Sequence, residues 1–274
     1  MTSAAIEGEG AAETNGNSRA SLSQDPRRQN STLRPARVYT GGEASSDTMP
    51  RMHLAAILLA LALPVSPAAF TPICFPTEDG GIVYANLYGT GDRGVVLAHG
   101  GQFNKESWDK QARELVKAGF RVLAFDFRGY GQSRGPHGGA AKEGRQFDVL
   151  GAVAYLRKNG ARSVSVVGAS MGGDYAADAA ETEPAAIDRI VLLASGADRP
   201  IIRMRGPKLY ILSRDDVEGD DKIPRLPQIR AAFGKASGPK QLVVLDGSAH
   251  AQWIFATPEG SRLMQEILRF LSAP

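Results

Sequence analysis

The chain has 274 residues, a length that fits one large domain or two small ones. Its hydrophobic content of 43% and its charged content of 22% are ordinary for a globular protein. The net charge is only +3, and no cluster of Lys and Arg is interleaved with aromatic residues, so nucleic-acid binding has no support. Because Cys74 is the only cysteine, an intrachain disulfide and a cysteine-based metal site are both excluded.

The first 48 residues differ in composition from the rest of the chain. They are rich in Gly, Ser, Thr, Asn, Ala and Arg and contain few large apolar side chains. Such a segment cannot bury enough apolar surface to offset the entropy lost on ordering it. We therefore predict that residues 1–48 form a disordered extension.

Residues 49–68 have the three parts of a secretory signal peptide. Arg51 gives a positive start, residues 54–63 form an apolar run of ten, and a small-residue exit places Ser66 and Ala68 before the cleavage point. Ten apolar residues are too few to cross a bilayer, so we predict export to the periplasm or medium without a stable membrane anchor. A lone cysteine is equally compatible with a reduced compartment, and a cytoplasmic location is the alternative.

A signal peptide normally stands at the amino terminus, whereas this one begins near residue 49. We hypothesise that translation starts at Met49 or Met52 and that residues 1–48 are a wrongly assigned upstream extension. N-terminal sequencing of the unprocessed precursor tests this hypothesis, which a precursor beginning at Met1 would contradict.

From residue 69 to the end, the pattern predicts a single α/β domain. Residues 73–75 and 82–88 flank a turn and predict a hairpin, after which short apolar runs alternate with amphipathic segments. The runs predicted to be strands cover residues 95–98, 122–125, 163–167, 190–194, 208–212 and 241–245. The segments predicted to be helices cover residues 105–118, 142–159, 171–181, 224–235 and 258–271. Strands that are apolar throughout indicate a mostly parallel sheet covered on both faces, so we predict a three-layer α/β/α sandwich with about seven or eight strands.

The strand at residues 163–167 leads into a Gly-x-Ser-x-Gly motif centred on Ser170. A nucleophilic serine must stand clear of the sheet, which requires a sharp and strained turn from strand to helix. Gly168 and Gly172 remove the Cβ atoms that would collide in that turn. The free N–H groups at the start of the next helix point toward the serine, where negative charge would develop. The alternative interpretation is a glycine-rich turn with a capping serine.

A serine hydroxyl becomes a good nucleophile only when a base removes its proton, and that base needs an acid to hold its tautomer. Of the four histidines, His53 lies in the predicted signal peptide and His137 in a Gly/Pro-rich loop. His99 begins a small-residue segment after an early strand. Ligands bind beyond the carboxyl ends of parallel strands, and His250 follows a late one, so it is the candidate base for Ser170.

Two other strand ends carry recognisable loops. After residues 95–98, small residues let a backbone N–H approach a substrate oxygen. After residues 122–125, we interpret Asp126 and Arg128 as structural residues that tie the loop by hydrogen bonds.

Together these features resemble the α/β-hydrolase family from about residue 76 to the end, roughly three quarters of the chain. The matching motifs are His99-Gly100-Gly101, Asp126-x-Arg128-Gly129-x-Gly131-x-Ser133, Gly168-x-Ser170-x-Gly172, an Asp after the next-to-last strand, and Gly247-Ser248-Ala249-His250. The order Ser, Asp, His along the chain is the order of this family. The resemblance implies the α/β-hydrolase fold and a Ser-Asp-His triad.

By this resemblance, Ser170 is the nucleophile, and His250 acts first as general base and then as general acid. The backbone N–H of Met171, together with that of Gly101 or Gln102, forms the oxyanion hole. Each such donor is typically worth about 3 kcal/mol of barrier. The resemblance implies neither a metal nor an organic cofactor.

The acid of the triad has two candidates. In the family it commonly lies three residues after the small residue that closes the strand, here Ser213, which selects Asp216. Asp215 is one step nearer and is the alternative.

The chain also departs from many relatives. Only thirteen residues, 195–207, separate the strand that ends at Ala194 from the strand that begins at Lys208, which leaves no room for a lid domain or a helix. We therefore expect a shallow pocket that is open at the top. The basic loop at residues 197–205 either lines the entrance with His137 and Trp253 or is a solvated loop.

The sequence thus predicts an exported, lidless serine hydrolase that acts on a small-molecule carboxylic ester or related acyl compound through an acyl-enzyme. Peptidases, thioesterases and carbon–carbon hydrolases use the same triad, because the pocket lining sets the substrate. A member of the fold that binds a ligand without catalysis is the alternative from another class.

Overall fold

The computed structural model describes residues 70–138, 143–196 and 199–274. The predicted disordered extension at residues 1–48 and the predicted signal peptide at 49–68 lie outside the described residues and stay predictions. Within the described ranges, every helix is too short or too polar to span a lipid bilayer.

The described residues form ten strands and five α-helices in the predicted alternation. The strands are β1 (Thr71–Pro76), β2 (Ile82–Tyr88), β3 (Arg93–Ala98), β4 (Arg121–Phe125), β5 (Ser163–Ala169), β6 (Arg189–Leu193), β7 (Lys208–Ser213), β8 (Val217–Glu218), β9 (Ile223–Pro224) and β10 (Lys240–Leu245). The helices are α1 (Asp109–Lys117), α2 (Arg145–Lys158), α3 (Met171–Thr182), α4 (Arg225–Lys235) and α5 (Gly260–Ser272).

Eight of the strands form one sheet in the order β1-β2-β4-β3-β5-β6-β7-β10. The five neighbouring pairs β4-β3, β3-β5, β5-β6, β6-β7 and β7-β10 are parallel. The strand β2 is antiparallel to both β1 and β4. The central strands are buried along nearly their whole length, which is why they are apolar at every position rather than at alternate ones. The predicted α/β class, the mostly parallel sheet and the strand count are confirmed.

The sequence did not predict the two-stranded hairpin of β8 and β9 that follows Asp216, or the 3₁₀ helix at Ala251–Ala256. The strands of the hairpin have two residues each and are exposed, so they contain no apolar run that a sequence pattern could detect. The predicted helix at residues 105–118 is divided: a 3₁₀ helix at Lys105–Trp108, capped by the Asn104 side chain, precedes α1.

Asp126 and Arg128 make structural contacts, as predicted. Asp126 accepts hydrogen bonds from the backbone N–H of Lys105 at 2.8 Å and from its ammonium at 2.6 Å. The buried guanidinium of Arg128 bonds Asp148 at 2.7 and 2.9 Å and Asp79 at 2.6 and 2.9 Å. These ion pairs tie the loop after β4 to α2 and to the β1–β2 turn.

Candidate active site

Ser170 stands at the turn between β5, which ends at Ala169, and α3, which begins at Met171. Its φ of 48° and ψ of −123° are rare for a residue with a side chain, and such strain costs on the order of 1–3 kcal/mol. A hydrogen bond of 2.9 Å from the Ser170 N–H to the carbonyl of Leu193 helps to hold this conformation. The backbone therefore has the strained strand-to-helix turn that the motif predicts.

The glycines around Ser170 are required by close backbone contacts. A Cβ on Gly168 would lie 2.6 Å from the carbonyl oxygen of Gly172, and one on Gly172 would lie 2.4 Å from that of Ala98. These contacts confirm the predicted reason for both glycines. Gly173 is a third required glycine, because its Cβ would lie 1.8 Å from the hydroxyl of Ser195.

Ser170, His250 and Asp216 form a continuous chain of hydrogen bonds. The Ser170 hydroxyl lies 2.8 Å from His250 Nε2, and His250 Nδ1 lies 2.8 Å from Asp216 Oδ2. The carboxylate of Asp216 is 1% exposed, whereas the imidazole remains 31% exposed toward the pocket. Asp215 is exposed, and its N–H bonds the carbonyl of Gly247. The structure thus brings Asp216, and not Asp215, to His250.

The three predicted oxyanion donors lie beside Ser170. Among the described residues, the N–H groups of Gly101, Gln102 and Met171 have no hydrogen-bond acceptor, and all three residues line the same pocket as Ser170. The free Met171 N–H is at the first position of α3, where a helix has no acceptor of its own. These donors are available to an oxygen atom of a bound substrate.

Gln252, which no sequence motif indicates, fixes the loop that carries Gly101 and Gln102. Its side-chain oxygen accepts from the N–H of Gly100 at 2.8 Å, and its side-chain nitrogen donates to the hydroxyl of Ser107 at 2.9 Å. The hydroxyl of Tyr130 adds a bond of 2.8 Å to the carbonyl of Gly101. The only signal in the sequence was an amide side chain two residues after His250, and it matches no motif.

His99 is fully buried, with its ring nitrogens occupied by backbone groups. Nδ1 donates to the carbonyl of Gly100 at 2.8 Å, and Nε2 accepts from the N–H of Phe127 at 3.2 Å. Burial lowers the pKa of His99, which favours the neutral ring that these two bonds require. His99 is therefore a structural residue beneath the loop.

Two pockets meet at Ser170 and Met171. The first, of about 430 Å³, is lined by residues 100–102, which we call the oxyanion loop, by His250 and by three large apolar side chains, which are Phe103, Val217 and Trp253. The second, of about 320 Å³, is lined mainly by polar groups, which are Asp174, Tyr175, Ser195, Arg199, Glu218 and Arg225. We call them the apolar pocket and the polar pocket.

The predicted open site matches the described part of the segment between β6 and β7. Residues 195–196 and 199–207 contain no helix, and Trp253 is 52% exposed at the edge of the apolar pocket. Arg199 of the basic loop does line the polar pocket, whereas the guanidinium of Arg203 bonds the carbonyl of Glu181. His137 lines neither pocket.

No metal centre is formed by the part of the chain that the structure describes, in which no three His, Cys, Asp or Glu side chains are grouped as ligands. The arrangement at Ser170 consists instead of a hydroxyl, an imidazole, a carboxylate and free N–H donors.

Comparison with known proteins places these features in a wider context. A family model described as alpha/beta hydrolase fold matches residues 94–217. The AB hydrolase superfamily protein YisY of Bacillus subtilis (strain 168) is 32% identical over 170 residues, which are 62% of this chain and 58% of that protein. The bifunctional esterase/perhydrolase DCH of Acinetobacter calcoaceticus is 36% identical over 98 residues, 35% of this chain and 34% of its own length. The matched part therefore spans less than two thirds of either relative.

Solved structures match over a longer stretch. An esterase from Exiguobacterium antarcticum superimposes with a TM-score of 0.60 at 16% identity, covering 74% of this chain and 100% of its own. Epoxide hydrolase A from Mycobacterium thermoresistibile gives a TM-score of 0.58 at 18% identity, with coverages of 74% and 98%. At such identities the likeness concerns the fold alone, since one fold supports different reactions.

Proposed function

Because the chain belongs to the α/β-hydrolase fold family, we propose that it is a serine hydrolase that cleaves a carboxylic ester or related acyl compound. The observation that carries the proposal is the pair of 2.8 Å contacts that joins Ser170 to His250 and His250 to Asp216. The strained turn at Ser170 and the free N–H donors beside it support the same function.

In the first half of the reaction, His250 Nε2 removes the proton of the Ser170 hydroxyl as its oxygen attacks the substrate carbonyl carbon. Asp216 holds the Nδ1–H of His250, so that Nε2 is the basic nitrogen, and stabilises the imidazolium that forms. The N–H of Met171 and that of Gly101 or Gln102 then bind the oxyanion, at about 3 kcal/mol each.

The intermediate collapses when the imidazolium of His250 gives its proton to the leaving oxygen, which departs as the alcohol. The acyl group remains on the oxygen of Ser170. A water molecule then attacks this acyl-enzyme, with His250 taking its proton and returning it to Ser170. The products are one alcohol and one carboxylic acid, and the enzyme is regenerated.

The alternative of a binding protein without catalysis is disfavoured by the geometry. Such a protein has no need of a strained serine or of a buried carboxylate aligned with a histidine. A peptidase or thioesterase would use the same residues. The open pocket and the relative named as an esterase favour an ester substrate.

Covalent labelling tests the proposal. A fluorophosphonate probe is expected to modify Ser170 in the folded protein, and Ser170→Ala is expected to abolish both labelling and ester hydrolysis. The matched control is Ser261→Ala, a change of an exposed serine in α5, which should keep both. An unlabelled wild-type protein with native circular dichroism would contradict the proposal. Rates with short and long p-nitrophenyl esters and with anilides then define the acyl substrate.

A further inference from the structure

The two pockets at Ser170 differ in chemistry, and this difference bears on which substrate would fit. The apolar pocket contains the rings of Phe103 and Trp253, which lie tilted against each other with their centroids 5.0 Å apart. The polar pocket contains two arginines, Arg199 and Arg225, and a buried serine, Ser195. A substrate that spans Ser170 therefore has one apolar half and one polar half.

The position of His250 indicates which half is which. In the proposed reaction, His250 must protonate the leaving oxygen, so the alcohol lies on the side of its imidazole. That ring lines the apolar pocket, whereas the polar pocket reaches Ser170 and Met171 without contacting His250. The alcohol half is thus assigned to the apolar pocket and the acyl half to the polar pocket.

Two donor groups of the polar pocket have no hydrogen-bond partner. Within the described residues, the buried hydroxyl of Ser195 and the buried Nε of Arg225 have no hydrogen-bond partner. Arg225 lies 3.2 Å from Glu218 and 3.8 Å from Asp216, the second being too long for a hydrogen bond. Unpartnered buried donors are costly, which favours a ligand group that brings acceptor oxygens.

Arg199 adds a second cation to this pocket. One of its nitrogens bonds Asp178 at 2.5 Å, and its side chain is half exposed. A planar guanidinium keeps further N–H donors for a second acceptor, and a carboxylate matches that geometry.

The acidic groups of the pocket do not cancel this preference. Asp174 already accepts from the N–H of Gly196 at 2.9 Å, so one of its carboxylate oxygens faces that backbone group. Glu218 is half exposed on β8 and pairs with Arg225 at 3.2 Å, so a ligand carboxylate would compete with it for that guanidinium.

We propose that the acyl half of the substrate ends in a carboxylate, so that the preferred substrates are half-esters of small dicarboxylic acids with an apolar alcohol. Arg225, Arg199 and Ser195 bind the free carboxylate, and Phe103 and Trp253 contact the alcohol. The inference rests on the proposed function and adds to it the class of substrate.

The test compares three esters of similar size, all assayed by release of the alcohol. They are 4-nitrobenzyl hydrogen glutarate, its neutral analogue in which the free carboxyl is a primary amide, and a reversed ester of pentanoic acid with 4-(hydroxymethyl)benzoic acid. The glutarate half-ester is expected to have at least a tenfold higher kcat/KM than either of the others.

Variants then assign the preference to named residues. Arg199→Gln is expected to lower the ratio of half-ester to amide at least fivefold, because its guanidinium is paired with Asp178 and makes no contact with the triad. Arg225→Gln lowers the same ratio, whatever its effect on the absolute rate through Asp216. Glu218→Gln should lower KM for the half-ester, since it frees Arg225. The control, Arg262→Gln, changes an exposed arginine on α5 and should leave the ratio unchanged.

The outcomes separate the inference from the proposed function. Labelling of Ser170 by a fluorophosphonate without any half-ester preference contradicts the inference alone. Preference for the reversed ester, or a ratio that neither arginine variant lowers, also contradicts it. A wild-type protein that is neither labelled nor active contradicts the proposed function, and the inference with it.

Discussion

Asp215 and Asp216 are adjacent in the loop after β7, yet only the second contacts His250, at 2.8 Å. Asp216→Asn is expected to lower kcat by about 10⁴-fold, as loss of the carboxylate does in a Ser-His-Asp triad, because the amide favours the wrong tautomer of the histidine. The exposed Asp215→Asn is the matched control and should stay within about twofold of wild type. Steady-state hydrolysis of a short p-nitrophenyl ester measures both, and a loss confined to the Asp215 variant would overturn the assignment.

Gln252 is a positioning residue whose effect should appear in kcat. Gln252→Leu leaves the N–H of Gly100 without an acceptor, which loosens the loop that carries Gly101 and Gln102. We expect kcat to fall about 10- to 100-fold with little change in KM, since an oxyanion donor acts mainly in the transition state.

The conservative variant Gln252→Glu distinguishes this role from a purely structural one. Its carboxylate can still accept from the N–H of Gly100 but cannot donate to the hydroxyl of Ser107, so it should recover part of kcat. Urea unfolding of both variants provides the control. If Gln252→Leu raises KM and keeps kcat, Gln252 does not position the oxyanion loop.

Residues that act through short local motifs could be predicted, whereas those that act through distant contacts could not. The turn at Ser170 has a local cause, the need for glycine at 168 and 172, and family spacing was sufficient to favour Asp216 over Asp215. Gln252 is 152 positions from its partner Gly100, and no periodicity or motif connects them. Arg225 was unrecognisable for the same reason, because its proximity to Ser170 depends on the missed hairpin that precedes α4.

At the scale of elements, the same distinction separates strands that were predicted from those that were not. Strands such as β3 and β7 are buried on both faces, so their sequences are continuous apolar runs. The β8–β9 hairpin is exposed and packs little, so its conformation leaves no such pattern. It nevertheless shapes the site, because Val217 lines the apolar pocket and Glu218 the polar one.

The ion pairs of Arg128 connect the β1–β2 turn, the loop after β4 and α2, and they make stability depend on pH. The hydrogen bonds from Arg128 hold the pKa of Asp79 below its ordinary value of 3.8. A carboxyl group with a lowered folded-state pKa stabilises the fold fully above its unfolded pKa and loses that contribution as the pH falls through the folded one.

The expected result is a pH-dependent difference between wild type and Asp79→Asn. Near pH 6 the wild type should have a free energy of unfolding about 1–2 kcal/mol higher, and the difference should shrink as the pH falls below the ordinary Asp pKa of 3.8 and through the lowered folded-state pKa. Urea titrations at several pH values measure it. Asp246→Asn, which changes an exposed carboxylate, is the control and should show little difference. A difference that grows as the pH falls would contradict the assignment.

For the molecule as a whole, the parallel sheet explains how residues far apart in sequence meet at one place. The carboxyl ends of β3, β5, β7 and β10 lie at the same edge, so the loops that follow them bring Gly101, Ser170, Asp216 and His250 together. The order of apolar runs was therefore enough to predict which loops to inspect. The division of the space above that edge into an apolar and a polar pocket depends on side chains from loops without regular structure, and it could not be predicted.

The open top of the site leads to a prediction about substrate form. In the described part of residues 195–207 no helix covers Ser170, and the imidazole of His250 is 31% exposed, so a dissolved ester reaches the triad without displacing a lid. Hydrolysis of tributyrin should rise hyperbolically with concentration and continue smoothly through the solubility limit. A pH-stat assay across that limit measures this, with Ser170→Ala as the blank. A lidded site would instead open at the oil surface, so an abrupt rise in rate on emulsification would show that a segment of this chain closes over the pocket in solution.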